Sequence, residues 1–132
     1  MNYQKLLRKA REAKQHSYSP YSKFRVGAAL LTKSGKIYTG CNIENSSFSL
    51  TICAERTAMF KAVSEAKQTF KAIAIVSDTE DFTPPCGACR QVMIDLAGNI
   101  DVVLANGKKQ IKIFKLNTLL PLPFDNNNLL KK

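Results

Sequence analysis

The chain has 132 residues, 45% of them hydrophobic, with only 6 Gly and 5 Pro, which excludes collagen-like, low-complexity and largely disordered organisation. A chain of this length buries roughly two-thirds of the surface its unfolded form exposes, so one core suffices and the 4 Cys are not needed as disulfides. Lys and Arg number 20 against 10 Asp and Glu, and the resulting net charge of +10 raises nucleic acid, an anionic membrane or an acidic substrate as partners to be weighed.

The amino-terminal stretch MNYQKLLRKAREAKQ is charged throughout and has no apolar signal-like segment, and the longest apolar runs are strand-sized. This leads us to expect a cytoplasmic, reducing setting with no membrane partner, where Cys serves as metal ligand, nucleophile or core residue. Residues 3 to 15 read as a helix with Leu6, Leu7, Ala10 and Ala13 on one face and basic residues around the rest. Segments 25 to 33 and 36 to 42 read as strands joined at Ser34-Gly35, a pair able to take the positive φ of a tight turn. The first strand is apolar on both faces, as in a central strand covered by helices on each side. From Cys53 to Ala66, Ala54, Ala58, Ala62 and Ala66 recur every four residues beside Met59 and Val63, a helix with a small-residue stripe for close packing. Residues 71 to 77 form a third buried strand, and a polar, prolyl loop follows from Asp78 to Pro85. Cys86 to Ala97 is a helix expected to bury Val92, Met93 and Leu96, closed by Gly98-Asn99. Strands at 100 to 105 and 110 to 114 flank an Asn106-Gly107 turn, and Pro121 and Pro123 confine the remainder to short helical turns and loop. No repeat or linker divides the chain, so residues 1 to 132 are expected to form a single domain of three-layer α/β/α type.

Cys86-Gly87-Ala88-Cys89 is a C-x-x-C at a helix start, so both sulfurs can face one ion while the positive helix end favours thiolates. Alone it is ambiguous between zinc and thiol–disulfide exchange. Cys53-Ala54-Glu55, at a second helix start, adds a third thiol and a carboxylate. Three thiolates from two helix amino termini make an open zinc site with its fourth position left for water, as catalytic zinc requires. A closed structural site would need Cys41 or His16, the sole histidine; Cys41 lies in an apolar strand, where a small buried hydrophobe is the ordinary role. Glu55 is two residues from a ligand, which turns it away from that sulfur on a helix and places it beside the metal as a proton carrier rather than on it. Arg56 is the candidate donor of hydrogen bonds to ligand sulfur, offsetting the negative charge of three thiolates; Arg90, beside Cys89, is a weaker candidate for the same task.

C-A-E followed about thirty residues on by P-C-G-A-C-R-Q is the zinc deaminase signature in its all-cysteine variant. With Tyr21-Ser22-Lys23-Phe24, Val26-Gly27-Ala28-Ala29 and Gly40-Cys41-Asn42-Ile43-Glu44-Asn45 in the same order, nearly the whole chain resembles the small homotetrameric cytidine deaminases. The resemblance implies a mixed five-stranded sheet with helices on both faces and one Zn²⁺ per subunit on Cys53, Cys86 and Cys89. It implies hydrolytic deamination of cytidine and 2′-deoxycytidine in pyrimidine salvage, with Glu55 moving the protons. Asn42 and Glu44 would hydrogen-bond the ribose 3′-hydroxyl, the Ala54 N–H would meet the pyrimidine, and Phe24 would pack on the ring. A carboxylate beside the sugar suits a neutral nucleoside and repels a nucleotide phosphate. Phe124 matches the residue that reaches into a neighbouring subunit's site in a homotetramer, although Leu122-Pro123 replace the small residues usual before it. Phe48 stands where the family commonly has Tyr.

Two other readings compete: a zinc deaminase of a cytosine-bearing nucleoside antibiotic, and a basic nucleic-acid-binding module with structural zinc. The motif at Asn42 to Asn45 favours ordinary ribose. Much of the positive charge lies in residues 1 to 36, where nine Lys and Arg face the lone Glu12. No aromatic platform is interleaved with it, so it reads as a solvated surface without a nucleic-acid partner.

Overall fold

A computed structural model describes residues 2–67 and 69–130. Helix α1 (Gln4–Lys14) precedes the hairpin β1 (Val26–Thr32) and β2 (Ile37–Cys41); α2 (Ala54–Ser64), β3 (Phe70–Ser77), α3 (Gly87–Ala97), β4 (Asp101–Ala105) and β5 (Ile111–Lys115) follow, with short helices α4 (Leu116–Leu119) and α5 (Asn126–Leu130) at the end. The five strands form one sheet in the order β2-β1-β3-β4-β5. β3 and β4 are parallel and every other neighbouring pair is antiparallel, because the α3 crossover joins adjacent strands whereas the α2 crossover joins β2 to β3 with β1 between them.

β1 lies between β2 and β3, and its alternate side chains enter two different cores. Ala28 and Leu30 join Ala58, Met59, Ile73, Ile75 and Met93 beneath α2 and α3, while Ala29 joins Leu6, Leu7, Ala10 and Ala74 beneath α1. The expected three layers and the expected α1 face are therefore present, with Leu6, Leu7, Ala10 and Ala13 all buried. Gly35 closes the β1–β2 hairpin at φ 98°. The alanine stripe of α2 lies directly on β2: a Cβ placed on Gly40 would come within 2.5 Å of the Ala58 nitrogen and 2.6 Å of the Ala54 oxygen. Only a residue without a side chain lets the helix backbone sit that close.

Several packing expectations are corrected. Ala66 lies past the end of α2 at φ 66°, and Val63 is 36% exposed, so the stripe stops at Ala62. In α3, Ile94 is buried and Leu96 is exposed, because the helix faces the sheet through Cys89, Met93 and Ile94. Val92 and Leu96, one turn apart, fall on the neighbouring stripe, where they line a groove with Phe60 of α2 and with Phe124 and Leu129. Cys41 is half-buried rather than a full core residue. The β4–β5 turn extends beyond Asn106-Gly107, and its left-handed residue is Lys109 at φ 62°. No described helix is long and apolar enough to cross a membrane.

Candidate active site

Cys53 is the N-cap of α2 and Cys86 the N-cap of α3, so both sulfurs project from helix amino termini at the carboxyl end of β3 and beside the β2 end. Cys89, one turn into α3, completes the group: the three sulfurs lie within 4.8 Å of one another, and Cys53 Sγ is 3.9 Å from Cys86 Sγ. Tetrahedral zinc with Zn–S bonds of about 2.3 Å sets its sulfurs roughly 3.8 Å apart, so the donor set fits that ion. The chemistry of the set agrees. The neighbouring Cys89 thiol, followed by the Arg56 guanidinium, pulls the Cys53 thiol well below its ordinary value, while the neighbouring Cys53 sulfur and burial push Cys89 up. Three crowded thiols can all ionise only around a cation. Among the described residues this is the one such group of three or more candidate ligands; His16 and Cys41 line a different hollow with Thr57 and Lys61, which removes the fourth ligand a closed structural site would need.

Arg56, in the first turn of α2, points its Nη2 at Cys53 Sγ, 3.3 Å away. Its Nε is buried without a partner among the described residues, so the bond to sulfur is the side-chain hydrogen bond that ties the guanidinium to the site. Arg90 behaves otherwise: its Nε donates to the Pro85 carbonyl at 2.8 Å and its Nη1 to the Leu119 carbonyl at 2.7 Å, which makes it a clamp between the loop before α3 and α4 rather than a donor to sulfur.

Glu55 is 5% exposed, and burial pushes its carboxyl up to about 7. It lines a cavity of about 270 Å³ together with Cys53, Ala54, Cys86, Phe24, Asn42 and Glu44. That volume lies just below the roughly 300 Å³ at which ordinary ligand pockets begin and suits one small molecule. Ala54 opens α2, so its N–H has no partner within the helix. Phe24 is 37% exposed at the rim. Asn42 is buried; its Oδ1 accepts from the Ser17 hydroxyl and, at 3.0 Å, from Val26 N–H, and its Nδ2 donates to the Phe24 carbonyl at 2.8 Å. Glu44 Oε1 accepts from Tyr21 N–H at 3.0 Å and Ser22 N–H at 3.1 Å, and its Oε2 accepts from the Ser22 hydroxyl.

Two residues singled out in the sequence are not brought to this cavity. Phe124 is 58% exposed and lines the separate groove along α3. Phe48 is 72% exposed and packs edge-on against Tyr21 at 5.7 Å between ring centroids. Conversely, Ser22, Thr51, Ile52, Thr83 and Pro84 line the cavity without having been assigned a role. Ser22 stands in the Tyr21 to Phe24 motif and was within reach of a sequence reading; Thr83 and Pro84 come from an irregular loop that periodicity does not address.

A mixed α/β sheet whose two helix amino termini cluster three thiols, two of them and a buried carboxylate lining one small cavity, defines an enzyme-like metal centre. Residues 1–105 match the family model described as "Cytidine and deoxycytidylate deaminase zinc-binding region", and the chain belongs to that family. It is 51% identical over 130 residues to a cytidine deaminase of Sporosarcina psychrophila, covering 98% of this chain and 96% of that one. It is 50% identical over 125 residues to a cytidine deaminase of Halalkalibacterium halodurans, covering 94% and 95%. Among solved structures, a cytidine deaminase from Burkholderia pseudomallei superposes with a TM-score of 0.90 at 45% identity, covering 94% of this chain and all of that one.

Proposed function

We propose that this chain is a zinc-dependent cytidine deaminase that converts cytidine and 2′-deoxycytidine, with water, to uridine and 2′-deoxyuridine and ammonia. The observation that carries this reading is one cavity lined by Cys53, Cys86 and the buried Glu55 as well as by Asn42 and Glu44, with Cys89 behind it completing the cluster of three sulfurs. Cys53, Cys86 and Cys89 hold the zinc, which when bound supplies the Lewis acidity that makes water a nucleophile near neutral pH. The carboxylate of Glu55 takes a proton from the attacking water and delivers it to the ring nitrogen beside the amino-bearing carbon; it then takes the proton of the newly added hydroxyl, which becomes the carbonyl, and passes it to the amine as the C–N bond breaks and ammonia leaves. Burial of Glu55 keeps bulk water from competing for that proton. Phe24 packs on the pyrimidine, the Ala54 N–H meets its polar edge, and Asn42 and Glu44 receive the sugar. Asn42 is braced by Ser17 and Val26, so it offers a fixed rather than a searching partner. Arg56 offsets the charge on the sulfurs.

The reading extends to a homotetramer acting in cytoplasmic pyrimidine salvage. The exposed groove formed by Phe60, Val92, Leu96, Phe124 and Leu129 supports subunit contact there, with Phe124 available to a neighbour's site because its own cavity does not use it. Residues 1–132 act as one domain, since both cores and the site draw on elements from α1 to α4. An antibiotic-specific deaminase is less well supported, given relatives of about half identity that carry the name cytidine deaminase. A nucleic-acid module is less well supported because the cavity is small and has no basic lining residue.

The test is ammonia release from free cytidine. Wild-type protein is expected to turn over, and Glu55→Gln to abolish turnover while zinc and fold remain. A faster reaction on a cytosine-bearing antibiotic, or no nucleoside turnover together with salt-sensitive nucleic-acid binding, would replace the proposal.

A further inference from the structure

The carboxylate of Glu44 is anchored on both oxygens, and the two anchors differ in what they can fix. Oε1 takes the Tyr21 and Ser22 N–H groups, which hold one oxygen in place and leave the group free to turn about it. The terminal torsion of a glutamate is broad, so the plane of the carboxylate, and with it the direction of the free lone pair on Oε2, is set only by a second contact on Oε2. The Ser22 hydroxyl is that contact. Its proton has one direction available, because Phe24 N–H donates into the same oxygen at 3.0 Å; a serine oxygen so engaged gives its single proton to the carboxylate. The backbone is bent to permit this. Lys23, between Ser22 and Phe24, is left-handed at φ 59°, and its N–H returns to the Ser19 carbonyl at 3.0 Å.

We infer that Ser22 is a positioning residue for the sugar end of the substrate: its hydroxyl sets the plane of the Glu44 carboxylate and ties it to the backbone of Phe24, whose ring covers the other half of the cavity. This rests on the reading above that Glu44 accepts from the sugar 3′-hydroxyl. Phe24 itself is held independently by the Asn42 amide on its carbonyl at 2.8 Å, so loss of the Ser22 hydroxyl acts on the sugar end. The shift of the Glu44 carboxyl below its ordinary range, caused first by the Ser22 hydroxyl, agrees with a bond made to the ionised form.

The experiment compares 2′-deoxycytidine with 2′,3′-dideoxycytidine, which lacks the 3′-hydroxyl, on wild type, Ser22→Ala and Glu44→Ala. Ser22→Ala is expected to lower kcat/KM for deoxycytidine by about tenfold, chiefly through KM, as for loss of one hydrogen bond to a charged group, and to leave the dideoxy reaction within about twofold of wild type. Ser22→Thr and Ser22→Val have the same shape and differ in the hydroxyl; Thr is expected to retain the preference for deoxycytidine and Val to lose it, whatever the stability of the Ala variant. Equal losses on the two substrates, no loss on either, or equal behaviour of Thr and Val would overturn the assignment to Ser22. If wild type shows no preference for deoxycytidine over the dideoxynucleoside, or Glu44→Ala leaves that preference intact, the failure lies instead in the reading of Glu44.

Discussion

Replacing Arg56 by Gln isolates the charge compensation at the sulfurs. Three thiolates around a dication leave one net negative charge, and in the proposed reading the Arg56 guanidinium, 3.3 Å from Cys53 Sγ, is the cation that would offset it. A hydrogen bond between charged partners is worth about 1.5–3 kcal/mol, which is roughly ten- to a hundredfold in an equilibrium or rate constant; loss of an outer hydrogen-bond partner at metal sites costs a similar 10–100-fold. Arg56→Gln is therefore expected to weaken zinc retention against a competing chelator, or kcat/KM for cytidine, by about tenfold or more. Thermal stability should fall little, because the substitution also removes a buried, unpartnered Nε whose desolvation costs about 1–3 kcal/mol. Arg56→Lys keeps the charge without the planar fork and should fall between the two. Zinc loss followed with a chromophoric chelator, alongside initial rates and a melting curve, gives all three readouts. Wild-type zinc retention and wild-type rates in Arg56→Gln would refute the reasoning.

Gly40→Ala places a methyl group 2.5 Å from the Ala58 nitrogen; overpacking of this kind costs about 1–3 kcal/mol or more, and because the contact is backbone, α2 must move and carry Cys53 and Glu55 with it. A lower melting temperature together with reduced turnover is expected, and a wild-type melting curve would contradict the close approach. Asp78 links the start of β1 to the end of α1: Arg25 donates to both its oxygens at 3.0 Å and Lys14 lies 3.3 Å away. The Arg25 guanidinium holds the Asp78 carboxyl down from the ordinary 3.8 to about 2. Since the folded value is the lower, its contribution to stability is fully present above about pH 4 and is lost as pH falls through 2. Wild type should thus exceed Asp78→Asn in urea stability near neutrality, with the gap closing by pH 2; a gap constant with pH would contradict the ion pairing. Leu96→Asp, in the apolar groove, should lower the assembled mass seen by light scattering, and an unchanged mass would remove that groove from the subunit interface.

How far the sequence could be read depended on how local the deciding contact was. β1 and α1 are legible because each carries its own pattern: seven residues apolar on both faces in one, a single apolar stripe among Lys and Arg in the other. The cysteines are legible because helix starts and the C-x-x-C spacing place sulfurs without knowledge of the rest of the chain. The exposure of Leu96 is not legible locally, because an 11-residue helix bearing Val92, Met93, Ile94 and Leu96 has two adjacent apolar stripes, and only the position of the sheet decides which is buried. Arg90 was likewise undecidable locally, since its partners Pro85 and Leu119 are joined only in the fold. Asn42 and Glu44 were marked by motif, whereas the groups that brace them come from Ser17 to Val26, a segment without periodicity. The charge has a similar history. Several of the basic residues in the first 36 positions find acidic partners, as Lys9 does with Glu12 and Lys14 and Arg25 do with Asp78, and among the described residues none of the basic ones lines the substrate cavity.

Zinc content and cytidine turnover measured on one preparation test the central claim most directly. The account predicts one zinc per chain, with ammonia and uridine formed in equal amounts at a rate proportional to zinc occupancy. Zinc-loaded protein that leaves cytidine and deoxycytidine unchanged, or turnover that persists after the metal has been removed, would contradict it.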